Sequence, residues 1–239
     1  MRVLVLAAHP DDETLGVGGT MAHHINRGDE VQVCILTDGV TARHGHTRLQ
    51  EERAIEACGV LGVDDVVFYG LPDQRLDAMP LIDLIQPIEE SVKAFKPDIV
   101  YTHFNQDANQ DHRTTFHASM VATRPTGGNG VKRVLCYEAA SSTEWAAPLA
   151  GNVFAANVFV DITTSLAKKL EAMKMYASTH ESEVRPYPHP RSFEAIETYA
   201  KRHGIVAGYK AAEPFMLVRE LISANSQGGN SDANSFYHS

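Results

Sequence analysis

The chain predicts an α/β protein built on an open, mostly parallel sheet flanked by helices. Three observations carry this expectation. Short apolar runs alternate with helix-period segments through the first half of the chain. The first run, Val3-Leu4-Val5-Leu6, is apolar throughout and bounded by Pro10, as in a strand covered on both faces. Strand–helix–strand order also demands right-handed crossovers and parallel pairing.

After the first strand, residues 14–27 have a helical pattern. Val31-Gln32-Val33-Cys34-Ile35-Leu36-Thr37 is a second apolar strand, followed by a Gly-, Thr- and His-rich loop over 38–47. Residues 48–61 are helical and Gly62 stops them. A third strand spans 65–69, and a helix spans 81–95 despite Pro87. A fourth strand covers 98–102, and another helix 112–123. The second half is less regular and is expected to complete the site. It holds strands at 133–137, 157–160 and 215–218. Its helices lie at 163–176, where Leu166, Leu170 and Met173 recur at helical spacing, and at 193–202. We expect one domain over 1–222 and a flexible tail over 223–239, which offers little to bury.

At 239 residues and 44% hydrophobic, the chain suits one fairly large domain. A net charge of −9 argues against nucleic acid as a partner, because phosphate binding needs a basic face. No run approaches membrane-spanning length and no cationic leader precedes Met1. Cys34, Cys58 and Cys136 are isolated, odd in number and read as small core residues, which points to a reducing cytoplasm. The run Gly16-Val17-Gly18-Gly19 lacks GxGxxG spacing because Met21 takes the third glycine position, so dinucleotide binding is excluded. No GxSxG motif is present.

The chemistry gathers in two clusters. His9-Pro10-Asp11-Asp12-Glu13 follows the first strand, and one imidazole and three carboxylates in five residues invite a divalent cation. An acidic helix N-cap beside a surface histidine is the plainer reading. The second cluster, running from His103 through Asp107, Asn109, Asp111 and His112 to Arg113, follows the fourth strand. In the common doubly wound order strands one and four are neighbours, and ligands bind beyond their carboxyl ends. The two clusters should therefore meet. His9, Asp12 and His112 would form a three-ligand open zinc site, with His103 as the rival third ligand or as pocket wall.

The motif Ala8-His9-Pro10-Asp11-Asp12-Glu13, paired with Asp111-His112-Arg113, resembles the LmbE-like or PIG-L family of zinc-dependent N-deacetylases. The resemblance implies a Rossmann-like fold, zinc on His9, Asp12 and His112 (Fe2+ being another possible divalent metal), and Asp11 as general base. It implies an N-acetylated, GlcNAc-type sugar conjugate as substrate and a homo-oligomer such as a trimer or hexamer. Leu71-Pro72-Asp73 and Ala212-Glu213-Pro214-Phe215 are further likenesses. Several family members carry histidine where this chain has Asn109, which can donate a hydrogen bond to an oxyanion but cannot act as an acid. Asp11 would then move both protons: it takes one from the attacking water and returns it to the leaving amine.

Asp111 is expected to orient a neighbouring histidine or asparagine. Arg48, in an Arg-x-x-Glu pattern, and Asp107 are candidate substrate contacts. Glu13 either caps the helix or bonds a sugar hydroxyl. His44 and His46 read as mouth residues, and His23 and His24 as the polar face of the first helix. His180, His189 and the 186–190 proline run would form a lid. Two other readings stand beside the deacetylase: a non-catalytic module holding a cation, and a zinc amidase or esterase with a non-sugar substrate.

Overall fold

The computed structural model describes residues 1–40, 47–126, 130–149, 151–177 and 182–223. The expectations for His44, His46, His180 and the 224–239 stretch fall outside the described residues. Strand β1 (Arg2–Ala7) lies inside a seven-stranded sheet, between β2 and β4. The other strands are β2 (Glu30–Thr37), β3 (Asp65–Leu71), β4 (Ile99–His103), β5 (Arg133–Tyr137), β6 (Val158–Asp161) and β7 (Ala212–Glu220). Their order across the sheet is β3-β2-β1-β4-β5-β7-β6. The first five are parallel, and β7 runs antiparallel to both β5 and β6.

Alternation along β1 explains why both faces are covered. Val3, Val5 and Ala7 enter one core with residues of helices α1 (Asp12–Asn26), α2 (Thr47–Leu61) and α5 (Leu166–Met175). Leu4 and Leu6 enter the opposite core with helices α3 (Leu81–Phe95) and α4 (Gln110–Ala122). Burying each such side chain is worth about 1.5–3 kcal/mol, so the alternation fixes the strand's register. The three cysteines are free and buried. No helix among the described residues is long and apolar enough to cross a membrane.

Strands β1 and β4 pair directly, with Val3 opposite Ile99 and Val5 opposite Tyr101. The crossover direction reverses between them, so their carboxyl ends open the crevice. Several boundaries differ from the sequence expectation. Helix α1 begins at Asp12 and α4 at Gln110, which puts Asp12, Glu13, Asp111 and His112 in first helical turns. Carboxylates are favoured there by the helix dipole, and Asn109 caps α4 by accepting from Asp111 N at 2.8 Å. Helix α6 (Phe193–Ala207) is longer than predicted and ends at Gly208, whose φ of 78° is left-handed. His24 is buried rather than on a polar face; it contacts Asp29 at 2.8 Å and the Tyr101 hydroxyl at 3.2 Å.

The glycine run in α1 has a packing cause. A Cβ on Gly16 would lie 2.2 Å from the Tyr137 ring, and one on Gly19 would lie 2.8 Å from Ile162. Only glycine lets α1 press onto β5 and the C-terminal half at these points.

Candidate metal centre and active site

The turn from β1 into α1 is tightly held. Ala8 N donates to His103 Nε2 at 2.9 Å, and Thr37 donates from both N and Oγ1 to Ala8 O. Asp11 follows with a φ of 107°, a conformation unusual for a residue with a side chain and characteristic of constrained functional turns. Glu13, fully buried, accepts from Asp11 N at 3.0 Å, from Thr14 Oγ1 at 2.6 Å and from Tyr176 Oη at 2.7 Å.

His9, Asp12 and His112 converge as the strand order predicts. His9 Nδ1 lies 3.1 Å from Asp12 Oδ2, His112 Nε2 lies 3.3 Å from the same oxygen, and the two nitrogens are 3.3 Å apart. Three donors bound at about 2.0–2.2 Å around one tetrahedral ion would be spaced by about 3.3 Å. Asp12 Oδ1 is buried and has no hydrogen-bond partner among the described residues. Burial opposes ionisation of Asp12, but the charge of His112 and the contacts with His112 and His103 outweigh it and hold the carboxyl well below its usual range. Burial likewise opposes protonation of His112, yet Asp12 and Asp107 raise it to about 9. An anionic carboxylate with an orphaned oxygen, packed against two imidazoles, fits a divalent cation.

His103 has its inner nitrogen engaged elsewhere. Its Nε2 accepts from Ala8 N and also meets the Tyr137 hydroxyl at 2.9 Å, so that lone pair is committed. Its ring stacks on His112 with centroids 3.8 Å apart. Burial, then the neighbouring His112, lowers it to about 4, consistent with a neutral ring.

Three carboxylates lie behind the histidines. Asp111 Oδ2 lies 3.2 Å from His9 Nε2, and its oxygens accept from Gln74 N at 2.7 Å and Leu76 N at 3.1 Å. Asp73 Oδ1 is 3.3 Å from the same nitrogen. His9, Asp73 and Asp111 form a second potential ligand set, but two backbone amides already satisfy Asp111, whereas Asp12 retains an orphan oxygen. His112 Nδ1 lies 3.2 Å from Asp107 Oδ1 in an ion-pair contact.

The structure brings none of the three candidate substrate contacts, Arg48, Glu13 and Asp107, to the lining of the opening. Asp107 is buried and accepts from Ser142 Oγ, from Thr143 Oγ1 at 2.6 Å and from Asn109 N at 2.9 Å, so its carboxylate is consumed in holding His112. Against the cost of burial, His112, Ser142 and Thr143 hold it at about 2. Glu13 is likewise enclosed and holds the turn. Arg48 is solvent-exposed and pairs with Glu52 at 2.9 Å, one helical turn away on the same helix. The opening is lined by His9, Pro10, Asp11, Gly39, Asp73, Gln74, Asn109, Glu183 and Arg191.

Two residues of the second half, Arg191 and Lys169, were not among the expected site residues. Arg191 Nη1 donates to Asp11 Oδ2 at 2.7 Å. Behind α1, Glu213 of β7 accepts from Gly19 N at 2.9 Å and Thr20 N at 2.7 Å. Lys169 Nζ donates to Leu15 O at 2.7 Å and to Glu213 at 2.6 Å. This buried pair reaches into the hydrogen-bond ladder of the helix that carries Asp12. The Ala212-Glu213-Pro214-Phe215 likeness was the available signal for it; nothing in the spacing pointed to Arg191.

With this geometry in place, comparison with known proteins is informative. The PIG-L: GlcNAc-PI de-N-acetylase family model matches residues 4–123. The chain is 31% identical over 145 residues to an uncharacterized deacetylase, YaiS, of Escherichia coli (strain K12), covering 59% of this chain and 75% of YaiS. It is 25% identical over 194 residues to a probable N-acetyl-alpha-D-glucosaminyl L-malate deacetylase 2 of Bacillus anthracis, covering 77% of this chain and 83% of that protein. Its fold is similar to the crystal structure of the conserved protein TT1542 from Thermus thermophilus. That match has a TM-score of 0.73 at 24% identity and covers 95% and 99% of the two chains. The chain therefore belongs to the PIG-L family, as an N-deacetylase with a buried His/Asp triad able to hold a metal.

Proposed function

We propose that this protein hydrolyses the N-acetyl group of a GlcNAc-type sugar conjugate, with His9, Asp12 and His112 holding zinc and Asp11 acting as general base. One observation carries the reading. Asp11 stands beside the triad without joining it: Arg191 holds its Oδ2, and no donor among the described residues reaches its Oδ1. When bound, zinc supplies Lewis acidity that makes water nucleophilic near neutral pH and stabilises developing negative charge. Asp11 Oδ1 takes the proton of the attacking water as that water adds to the amide carbonyl carbon. The same carboxyl then gives the proton to the departing nitrogen as the C–N bond breaks, leaving acetate and a free amine. Asn109 spends its side-chain oxygen on capping α4, which leaves its amide N–H groups as hydrogen-bond donors to the carbonyl oxygen.

The sugar reading is supported by the names of the family model and the Bacillus relative. It is also supported by the polar opening, where Asp73, Gln74, Asn109 and Glu183 offer partners to hydroxyl groups. The test is acetate release from a panel of N-acetyl and O-acetyl sugars with Asp11→Asn beside wild type. The variant is expected to keep its zinc and lose about 10²–10⁴-fold in turnover. Undiminished turnover in that variant rejects Asp11 as base, and release from O-acetyl compounds alone rejects the amide reading.

A further inference from the structure

We infer that Arg191, from the half of the chain outside the family match, is the positioning residue of the base. This rests on the reading of Asp11 given above. Arg191 is the last residue before Ser192, which caps α6 by accepting from Ala195 N, so its backbone sits on a fixed support. Its own N–H donates to His189 Nδ1 at 3.1 Å. The guanidinium is held at three points: Nε donates to Ser141 Oγ at 2.7 Å, and Nη1 donates to Glu183 Oε2 and to Asp11 Oδ2, each at 2.7 Å. Its side chain is only 20% exposed and that of Asp11 only 2%.

The physical need is clear. Asp11 occupies a left-handed backbone position, and Arg191 is its only side-chain donor among the described residues. Without that donor the carboxylate has no fixed rotamer. With it, Oδ2 is anchored in a residue that lines the opening. Glu183 and Ser141 in turn stop Arg191 from collapsing onto other carboxylates. A planar guanidinium with fixed donors suits this role better than a flexible ammonium. Arg191 thus acts on the reaction through Asp11 rather than by touching the reacting atoms.

The test is a double-mutant cycle on the zinc-loaded, full-length enzyme with Arg191→Met and Asp11→Asn, reading kcat, KM and zinc content. Arg191→Met is expected to lower kcat by about 10²-fold, the usual loss when a reactive group is misplaced by about 1 Å. KM and zinc content should stay within about twofold of wild type. The two losses should not multiply: the double variant should be no slower than Asp11→Asn alone. Added guanidinium should restore part of the activity of Arg191→Gly and none to Asp11→Asn. Wild-type kcat in Arg191→Met, multiplicative losses in the double variant, or loss of zinc with Arg191→Met would each overturn the inference. A fully active Asp11→Asn would instead reject the base assignment itself.

Discussion

Asp107 illustrates how one side chain at this site acquires its role from its neighbours. Its two oxygens face Ser142, Thr143, Asn109 N and His112 Nδ1 inside the protein, so no oxygen is left for a substrate hydroxyl. Carboxylates behind ligating histidines fix the ring orientation and raise its basicity, and losing one typically costs 10–100-fold in metal affinity. Asp107→Ala should therefore weaken zinc binding by about that factor in competition with a chelator. Activity at saturating zinc should recover substantially. An unchanged zinc affinity would mean that His112 is held by its stacking on His103 alone. At this scale the sequence was informative about residue type and much less so about direction: Asp107, Asp111 and Asp12 are equivalent as letters, and only their partners separate them.

Helix α1 delivers Asp12 and, at its threshold, Asp11. It is gripped from behind by two elements remote in sequence, through Lys169 of α5 and Glu213 of β7. Removing one partner of a buried ion pair leaves the other charge uncompensated and typically costs about 3–5 kcal/mol. Lys169→Met should lower unfolding free energy by about 3 kcal/mol in urea titrations, toward the lower end because two amides still satisfy Glu213. A Lys169→Met/Glu213→Gln pair should be less destabilised than the two single losses summed; simple additivity would show that the residues act independently. The elements themselves were readable from periodicity, and the starts of α1 and α4 shifted by only two residues. The shift in α1 matters, because it turns Asp12 from a presumed turn residue into a first-turn residue whose spacing the helix imposes.

Across the whole molecule, the His9, Asp12 and His112 triad ties together the β1–α1 turn, α1 and α4, so a metal held there would add directly to folding free energy. Denaturant unfolding after removal of metal by chelation, and again with zinc at about 1,000 times its dissociation constant, should differ by about 4 kcal/mol. His112→Ala should lose that increment together with deacetylation. A zinc response surviving in His112→Ala would assign the ion to the His9, Asp73 and Asp111 set instead.

The sequence alone determined the alternating α/β plan, the pairing of the first strand with the fourth and the convergence of two His/Asp clusters. These follow from local periodicity and from the handedness of crossovers, which need no knowledge of distant contacts. Tertiary structure decided which carboxylate joins the His9 and His112 triad and which stand behind the histidines. It also sent Arg48 to solvent and brought Arg191, Lys169 and Glu213 against the β1–α1 turn and helix α1. Those outcomes depend on contacts between residues far apart in the chain. Side-chain direction and charge pairing settle them there, and neither is written in the spacing of the letters.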